Sequence, residues 1–211
     1  MLSVTSVKTL GEIANIRTGY TFRDKVEEVS EAGNAHVAQI KDVRAFWEET
    51  NSSLLYPKQL PKIHWQGKDK MFVYPGSVLL PARGSKGGYF HASCLTSDEE
   101  EQLPVVVSSQ FLVMTPKESV LPEFLCWSLN RPALQYWLAE GAGSQGTSIV
   151  MLNMKTVKEL KIEVPSLETQ KKISHLNRLW ESETKLTSAL LKNRETMVNG
   201  MFQKLLKEKN V

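Results

Sequence analysis

Three short stretches of this chain carry side chains suited to reading nucleic-acid bases. Arg83-Gly84-Ser85-Lys86-Gly87-Gly88-Tyr89 brings two cations, a hydroxyl and an aromatic ring into a glycine-rich turn. Arg17-Thr18-Gly19-Tyr20-Thr21-Phe22-Arg23 repeats that mixture, and Ser144-Gln145-Gly146-Thr147-Ser148 adds an amide and hydroxyls. Arg or Lys reads guanine, Asn or Gln reads adenine, and small hydroxyls serve either, provided the loop is narrow enough to enter a groove. Phosphates are held by basic side chains and amide donors, which orient the protein without reading sequence. By residue type, the candidates for DNA contact are Arg17, Tyr20, Arg23, Arg83, Ser85, Lys86, Tyr89, Gln145, Thr147 and Ser148, with Lys41 and Arg44 following an expected strand. Arg83 and Gln145 lead, because both sit in glycine-rich loops that gain nothing obvious from packing. Basic residues in turns are commonly only solvated, and Tyr20, Phe22, Tyr89 and Phe90 suit loop anchoring on a core as well as base contact.

Catalytic patterns fail on context. Gly141-Ala142-Gly143-Ser144-Gln145-Gly146 spells Gly-x-Gly-x-x-Gly, but the preceding segment reads as helix and no βαβ unit surrounds it. His91 and Cys94 have metal-like spacing without a second pair nearby, so a buried thiol beside an ordinary histidine is the expectation, and no metal is assigned. His36, His64 and His175 have no recognisable triad partners. No Asn-Pro-Pro-Tyr-like segment is present, and Glu183-Thr184-Lys185 matches only the last part of a nuclease pattern, inside a helix where i and i+2 diverge. The chain reads as a non-enzyme that needs no cofactor.

Net charge narrows the binding mode. Up to Val150 there are 14 Lys and Arg against 16 Asp and Glu, a balance of −2; from Met151 onward 12 stand against 7, a balance of +5. A globular part of that charge binds DNA only if its cations gather on one face, with acidic stretches such as Asp98-Glu99-Glu100-Glu101 turned away. Two isolated cysteines, Cys94 and Cys126, suit a reducing compartment, and neither a transmembrane-length apolar run nor a signal-peptide pattern is visible. The expected location is cytoplasmic.

The elements that must position these loops are legible in outline. Val37–Ile40, Met71–Tyr74, Ser77–Arg83, Val105–Met114 and Lys161–Val164 read as strands, and Pro122 opens a helix running through Leu138. Strands in runs with few intervening helices favour an α+β fold with a mainly antiparallel or barrel-like sheet. After Pro165, about 40 residues lacking Pro and, apart from Gly200, Gly predict one helix of roughly 60 Å, far longer than a small domain needs. Its apolar stripe runs through Ile173, Leu176, Trp180, Thr187, Leu190, Met197, Met201 and Leu205, interrupted by Glu183 and Arg194. That spacing is a coiled-coil seam in which polar residues weaken pairing but fix register. Pairing is therefore expected through Ile173, Leu176, Trp180, Leu190, Met197, Met201 and Leu205. The organisation expected is a globular unit over 1–165 and a spacer or dimerisation helix over 166–208.

A set of segments in fixed order covers nearly the whole chain: Leu10-Gly11-Glu12-Ile13 with Gly19, Ala82-Arg83-Gly84-Ser85 after an apolar strand, Ser109-Gln110-Phe111, a helix, a Gly-Ser-Gln-Gly-Thr loop, and Ile162-Glu163-Val164-Pro165-Ser166-Leu167-Glu168-Thr169-Gln170 before Ile173. In this the chain resembles the DNA-specificity subunit of type I restriction-modification systems. The resemblance implies a target recognition domain that reads one half of a bipartite site, and a long helix that spaces the halves and carries methyltransferase subunits. Implied partners are double-stranded DNA and methyltransferase subunits, with no membrane; a restriction subunit is left open. A full specificity subunit has two recognition domains and two antiparallel helices, whereas this sequence has room for one of each. The half-subunit reading is a homodimer through the helix; a fragment of a longer subunit is the rival explanation. A protein-docking adaptor that uses Trp127, Trp137 and the helix without reading DNA is the alternative function.

Overall fold

The computed structural model describes residues 5–30, 32–85, 88–100, 102–141 and 149–208. In chain order the elements are β1 (Ser6–Thr9), α1 (Leu10–Ile13), β2 (Ala14–Thr18), β3 (Ala35–Ala38), α2 (Ile40–Thr50), β4 (Leu54–Leu55), β5 (Lys62–Ile63), β6 (Phe72–Val73) and β7 (Val78–Pro81). There follow β8 (Arg83–Ser85), β9 (Ser93–Leu95), β10 (Val105–Val107), β11 (Phe111–Pro116), α3 (Pro122–Asn130), α4 (Pro132–Gly141), β12 (Ile149–Met151), α5 (Met154–Lys158), β13 (Lys161–Val164) and α6 (Leu167–Glu208).

The fold is α+β, and among the described residues the strands form four separate sheets with no closed barrel. A five-stranded sheet runs β2-β11-β7-β9-β4 and a four-stranded one β5-β3-β10-β6, with two-stranded ribbons β1-β13 and β12-β8. Most pairings are antiparallel; β3 with β10 and β4 with β9 are parallel. β10 is Val-Val-Val and wholly buried, as a strand covered on both faces must be. The main core lies between the five-stranded sheet and α3, α4 and α5, around Phe90, Phe124, Leu129 and Met114. A second cluster packs Val43 and Phe46 of α2 with Phe111, Val113 and Leu79. Each fully buried Leu or Phe contributes about 1.5–3 kcal/mol of transfer free energy.

Two local departures from the sequence reading have simple causes. The helix expected from Pro122 to Leu138 is broken: α3 ends at Asn130, Arg131 is extended at ψ 140°, and α4 restarts at Pro132. Proline disfavours helical geometry in the residue before it and suits the first turn after it. Helix α2 has no counterpart in the sequence reading. It buries Val43 and Phe46, but most of its other residues are polar and it follows β3 after a single residue.

Helix α6 spans 42 residues, or roughly 60 Å, as expected. Ser166 caps it, its Oγ accepting from the Thr169 amide at 3.3 Å. The next turn carries Gln170, which is 0 % exposed. Its Oε1 accepts from Leu121 N at 2.8 Å, and its Nε2 donates to Ser119 O at 3.0 Å and Pro165 O at 2.9 Å. Farther along, Glu181 accepts from Ser53 Oγ at 2.6 Å, Ser53 N at 3.2 Å and Asn177 Nδ2 at 2.9 Å. Ile173 packs against the main core, and Ser174 is buried. From Lys185 to Lys207 every residue is exposed.

Replacing Gln170 by Leu keeps much of the volume but strips the Leu121 amide of its acceptor and two carbonyls of a donor. An unsatisfied buried group costs about 1–3 kcal/mol. The Gln170→Leu protein is expected to lose about 2–3 kcal/mol in urea unfolding, and a loss under about 0.5 kcal/mol would mean that the amide is not structural. Burial raises the Cys94 thiol to about 12 and lifts Cys126 well above its ordinary value. Both cysteines should therefore resist maleimide at neutral pH in the folded protein and react fully once it is denatured.

Candidate nucleic-acid interface

The β12-β8 ribbon sets Arg83, Gly84 and Ser85 of one candidate stretch against Met151, Val150 and Ile149. Its register pairs Ser85 with Ile149 and Arg83 with Met151. The chain therefore leaves β8 toward Lys86 and enters β12 from Ser148 at the same ribbon end. Lys86, Gln145, Thr147 and Ser148 themselves lie outside the described residues. Gly84 is favoured here, since a Cβ would stand 2.9 Å from the ring of Phe90, which is fully buried.

Beside the ribbon, α2 and the segment after β8 enclose a shallow depression. It is lined by Ile40, Val43, Arg44 and Trp47 of α2 together with Pro81, Arg83, Tyr89, His91 and Phe111. Arg44 and Arg83 are exposed there and form no ion pair with a described residue. Three rings form a column. Trp47 stacks on His91 with centroids 4.1 Å apart at 23°, and Tyr89 stacks with His91 at 5.3 Å and 11°. Tyr89 is 66 % exposed, offering an aromatic surface next to two guanidinium groups. Burial, and secondarily the charge of Arg44, hold the His91 imidazole below its ordinary value of 6.5. At neutral pH it therefore stacks as an uncharged ring.

The first stretch lies elsewhere and is largely committed to structure. Arg17, on β2, donates through Nη2 to the carbonyls of Phe72 at 3.1 Å and Met71 at 3.3 Å. Tyr20 is half-buried and meets Phe22 at 5.0 Å and Trp65 at 4.9 Å edge-to-face, an anchoring arrangement. Gly19 lets this turn lie against the neighbouring segment, because a Cβ there would overlap the Ser108 carbonyl. Arg23 lines an open cleft with Asp24, Lys25 and Glu27, where charges of both signs alternate. Lys41 is exposed but paired with Glu28, and with Asp42 at 3.8 Å. In the acidic stretch, Asp98 and Glu100 face Lys58 at 3.5 and 3.1 Å and do not line the depression.

Of the expected contacts, the structure gathers Arg44, Arg83 and Tyr89 around one depression, with the Ser85 end of the ribbon following directly from Arg83. Trp47 and His91 line the same depression and are not among the contacts expected from sequence. The spacing of Ile40, Val43 and Trp47 could signal the helix face that presents Trp47, whereas nothing in the sequence brings residue 91 to residue 47. His91 is a stacked ring and Cys94 lies buried on β9; the described residues include no group of three or more His, Cys, Asp and Glu placed to hold a metal. No helix among them is long and apolar enough to cross a membrane.

On α6, Leu176, Trp180, Leu190, Met197, Met201 and Leu205 are all at least half exposed. Ile173 differs, being half-buried against the globular part. The helix thus meets its own domain through the hydrogen bonds of Gln170 and Glu181 and the packing of Ile173, and turns an apolar stripe to solvent.

Solved structures share this fold. A chain from a study of complex assembly and conformational transition of the type I R-M system matches with a TM-score of 0.58 at 16% identity, over 95% of this chain and 43% of its own length. The HsdS subunit from Thermoanaerobacter tengcongensis matches at 0.54 and 18%, over 90% and 39%. The type I restriction-modification system S subunit from M. genitalium matches at 0.54 and 12%, over 97% and 46%. This chain spans less than half the length of each. Residues 4–192 match the type I restriction modification DNA specificity domain, and the chain accordingly belongs to that family.

Proposed function

We propose that this protein is a sequence-specific DNA recognition subunit of a type I restriction-modification system, reading one half of a bipartite site and docking methyltransferase subunits that perform the chemistry. The observation that carries the reading is the convergence of Arg44, Arg83 and the Tyr89-His91-Trp47 column beside the β12-β8 ribbon. Guanidinium groups that form no ion pair with a described residue suit guanine edges or phosphates, and the exposed ring suits apolar contact with a base or sugar. The sheets beneath hold these groups in place, while the loops supply variable chemistry.

Two copies associate through α6, restoring by symmetry the half that the longer relatives carry in one chain. Support comes from the helix itself. A helix that uses polar residues to hold its own domain and leaves leucine, methionine and tryptophan in water presents the kind of apolar patch that marks an interaction site. Two-fold pairing makes the preferred site an inverted repeat with a constant gap.

Selection of bound duplexes from a randomised pool, with and without a co-expressed methyltransferase, tests this. An enriched inverted repeat is expected. Arg83→Ala should then weaken binding to the selected duplex by about 1–3 kcal/mol and relax preference at one position in each half, with a smaller effect on a scrambled duplex. Sequence-blind, salt-insensitive behaviour under both conditions would return the protein to the adaptor reading.

A further inference from the structure

Between Leu176 and Met201 the seam of α6 is complementary to its own reversal. Written as heptads, Leu176, Glu183, Leu190, Met197 and Lys204 occupy one core position, and Ile173, Trp180, Thr187, Arg194 and Met201 the other. Turn a second copy of the helix end for end, with the two-fold axis passing between Ser188 and Ala189, and each member of the first set meets a member of the second. Leu176 then faces Met201 of the second copy, Met197 faces Trp180, and Leu190 faces Thr187. The two charged interruptions meet each other: Glu183 of each copy faces Arg194 of the other. Both ion pairs are generated by the symmetry, and no charged residue between positions 176 and 201 of the seam is left opposite an apolar one.

Two structural observations make room for this arrangement. The whole seam from Leu176 onward is exposed, Glu183 and Arg194 included. At about 100° per residue, the domain-facing residues Gln170, Ser174, Asn177 and Glu181 lie roughly 130° around the helix from the seam, so a second helix approaches without displacing those contacts.

Resting on the pairing reading above and on the antiparallel helices that the family resemblance implies, we propose that the pair takes the one register that sets Glu183 of each copy against Arg194 of the other. A parallel pair would instead set glutamate on glutamate and arginine on arginine. Shifting the antiparallel register by one heptad puts Glu183 against Met201 and Arg194 against Leu190 in one direction, and against Thr187 and Leu176 in the other. Either shift leaves the charges unpaired in the seam, a penalty that the matched register avoids. The register also fixes a distance. The segment holding each domain, Gln170 to Glu181, is centred about 13 residues from the two-fold axis, so the two attachment points stand about 39 Å apart along the pair at 1.5 Å per residue. That is close to one turn of duplex DNA, about 34–36 Å, the spacing at which two symmetric readers meet the same face of the double helix.

Charge exchange in the full chain tests the register, read by sedimentation and by native mass spectrometry of differently tagged copies. The wild type is expected to dimerise at micromolar concentration. Glu183→Arg and Arg194→Glu should each weaken self-association on the order of a hundredfold, because each places two like-charge pairs in the seam. Mixing the two single variants should restore a dimer containing one copy of each, and the double variant should dimerise like the wild type. Single variants that stay dimeric, or a mixture and a double variant that both stay monomeric, would overturn the register while leaving pairing itself standing. A wild type that is monomeric would overturn the pairing reading and the register with it. Circular dichroism separates these outcomes from unfolding, since both substituted positions are exposed in the single chain.

Discussion

The buried amide of Gln170 is the contact on which the rest of the architecture turns. It sits one turn into α6, completely enclosed, with its oxygen engaged by the Leu121 amide and its nitrogen by the carbonyls of Ser119 and Pro165. Only a side chain with both donor and acceptor groups at that reach satisfies the three backbone partners, and leaving any of them unpaired in a closed space carries the full desolvation cost. The same amide therefore fixes where the helix starts and how it leaves the domain. Pro165 and Ser166 define the start, and the Glu181 carboxylate repeats the grip on Ser53 three turns later. Everything from Lys185 to Lys207 projects into solvent.

A grip made of polar contacts has a consequence that an apolar one would lack. Had the helix adhered through leucines, its apolar stripe would lie against its own domain, with less of it left to pair. Here the order is reversed, with hydrogen bonds inside and hydrophobic side chains outside. Directional bonds fix the helix's orientation and leave its apolar side chains on the outer face. Glu181 is held by three donors, so its charge is well satisfied where it meets the domain.

How much of this is legible in the sequence depends on sequence distance. The long helix, the strand before it and the Pro-to-Gln signature are local patterns, and Pro132 is the local signal for the break between α3 and α4. The β12-β8 ribbon is half legible: the stretches beside it stand out by composition, but the ribbon itself joins residues more than 60 positions apart. The Trp47-His91-Tyr89 column is not legible, because α2 is short, largely polar and stabilised by packing on Phe111 and Leu79 rather than by helix propensity. Arg17 shows the converse. Its composition suggests a nucleic-acid contact, yet its guanidinium bonds two backbone carbonyls at the start of β6, which no motif would disclose.

Charge gives the proposed pairing a physical reason. The globular part is slightly acidic, and several of its cations are committed: Lys41 to Glu28, Lys58 to Asp98 and Glu100, Arg131 to Glu163. Arg44 and Arg83 remain to face an anionic ligand at the depression. In the proposed role, a site whose described cations are few releases few counterions, so one domain alone would hold a duplex weakly and with a shallow salt dependence. Weak individual contacts are not a defect when they are joined rigidly. The proposed helix pair would make the second half-site encounter intramolecular, with a gain that is large only if the geometry matches and that vanishes if it does not. On that proposal, low charge per domain moves discrimination away from general attraction to phosphate, and toward the simultaneous fit of two half-sites at one fixed separation.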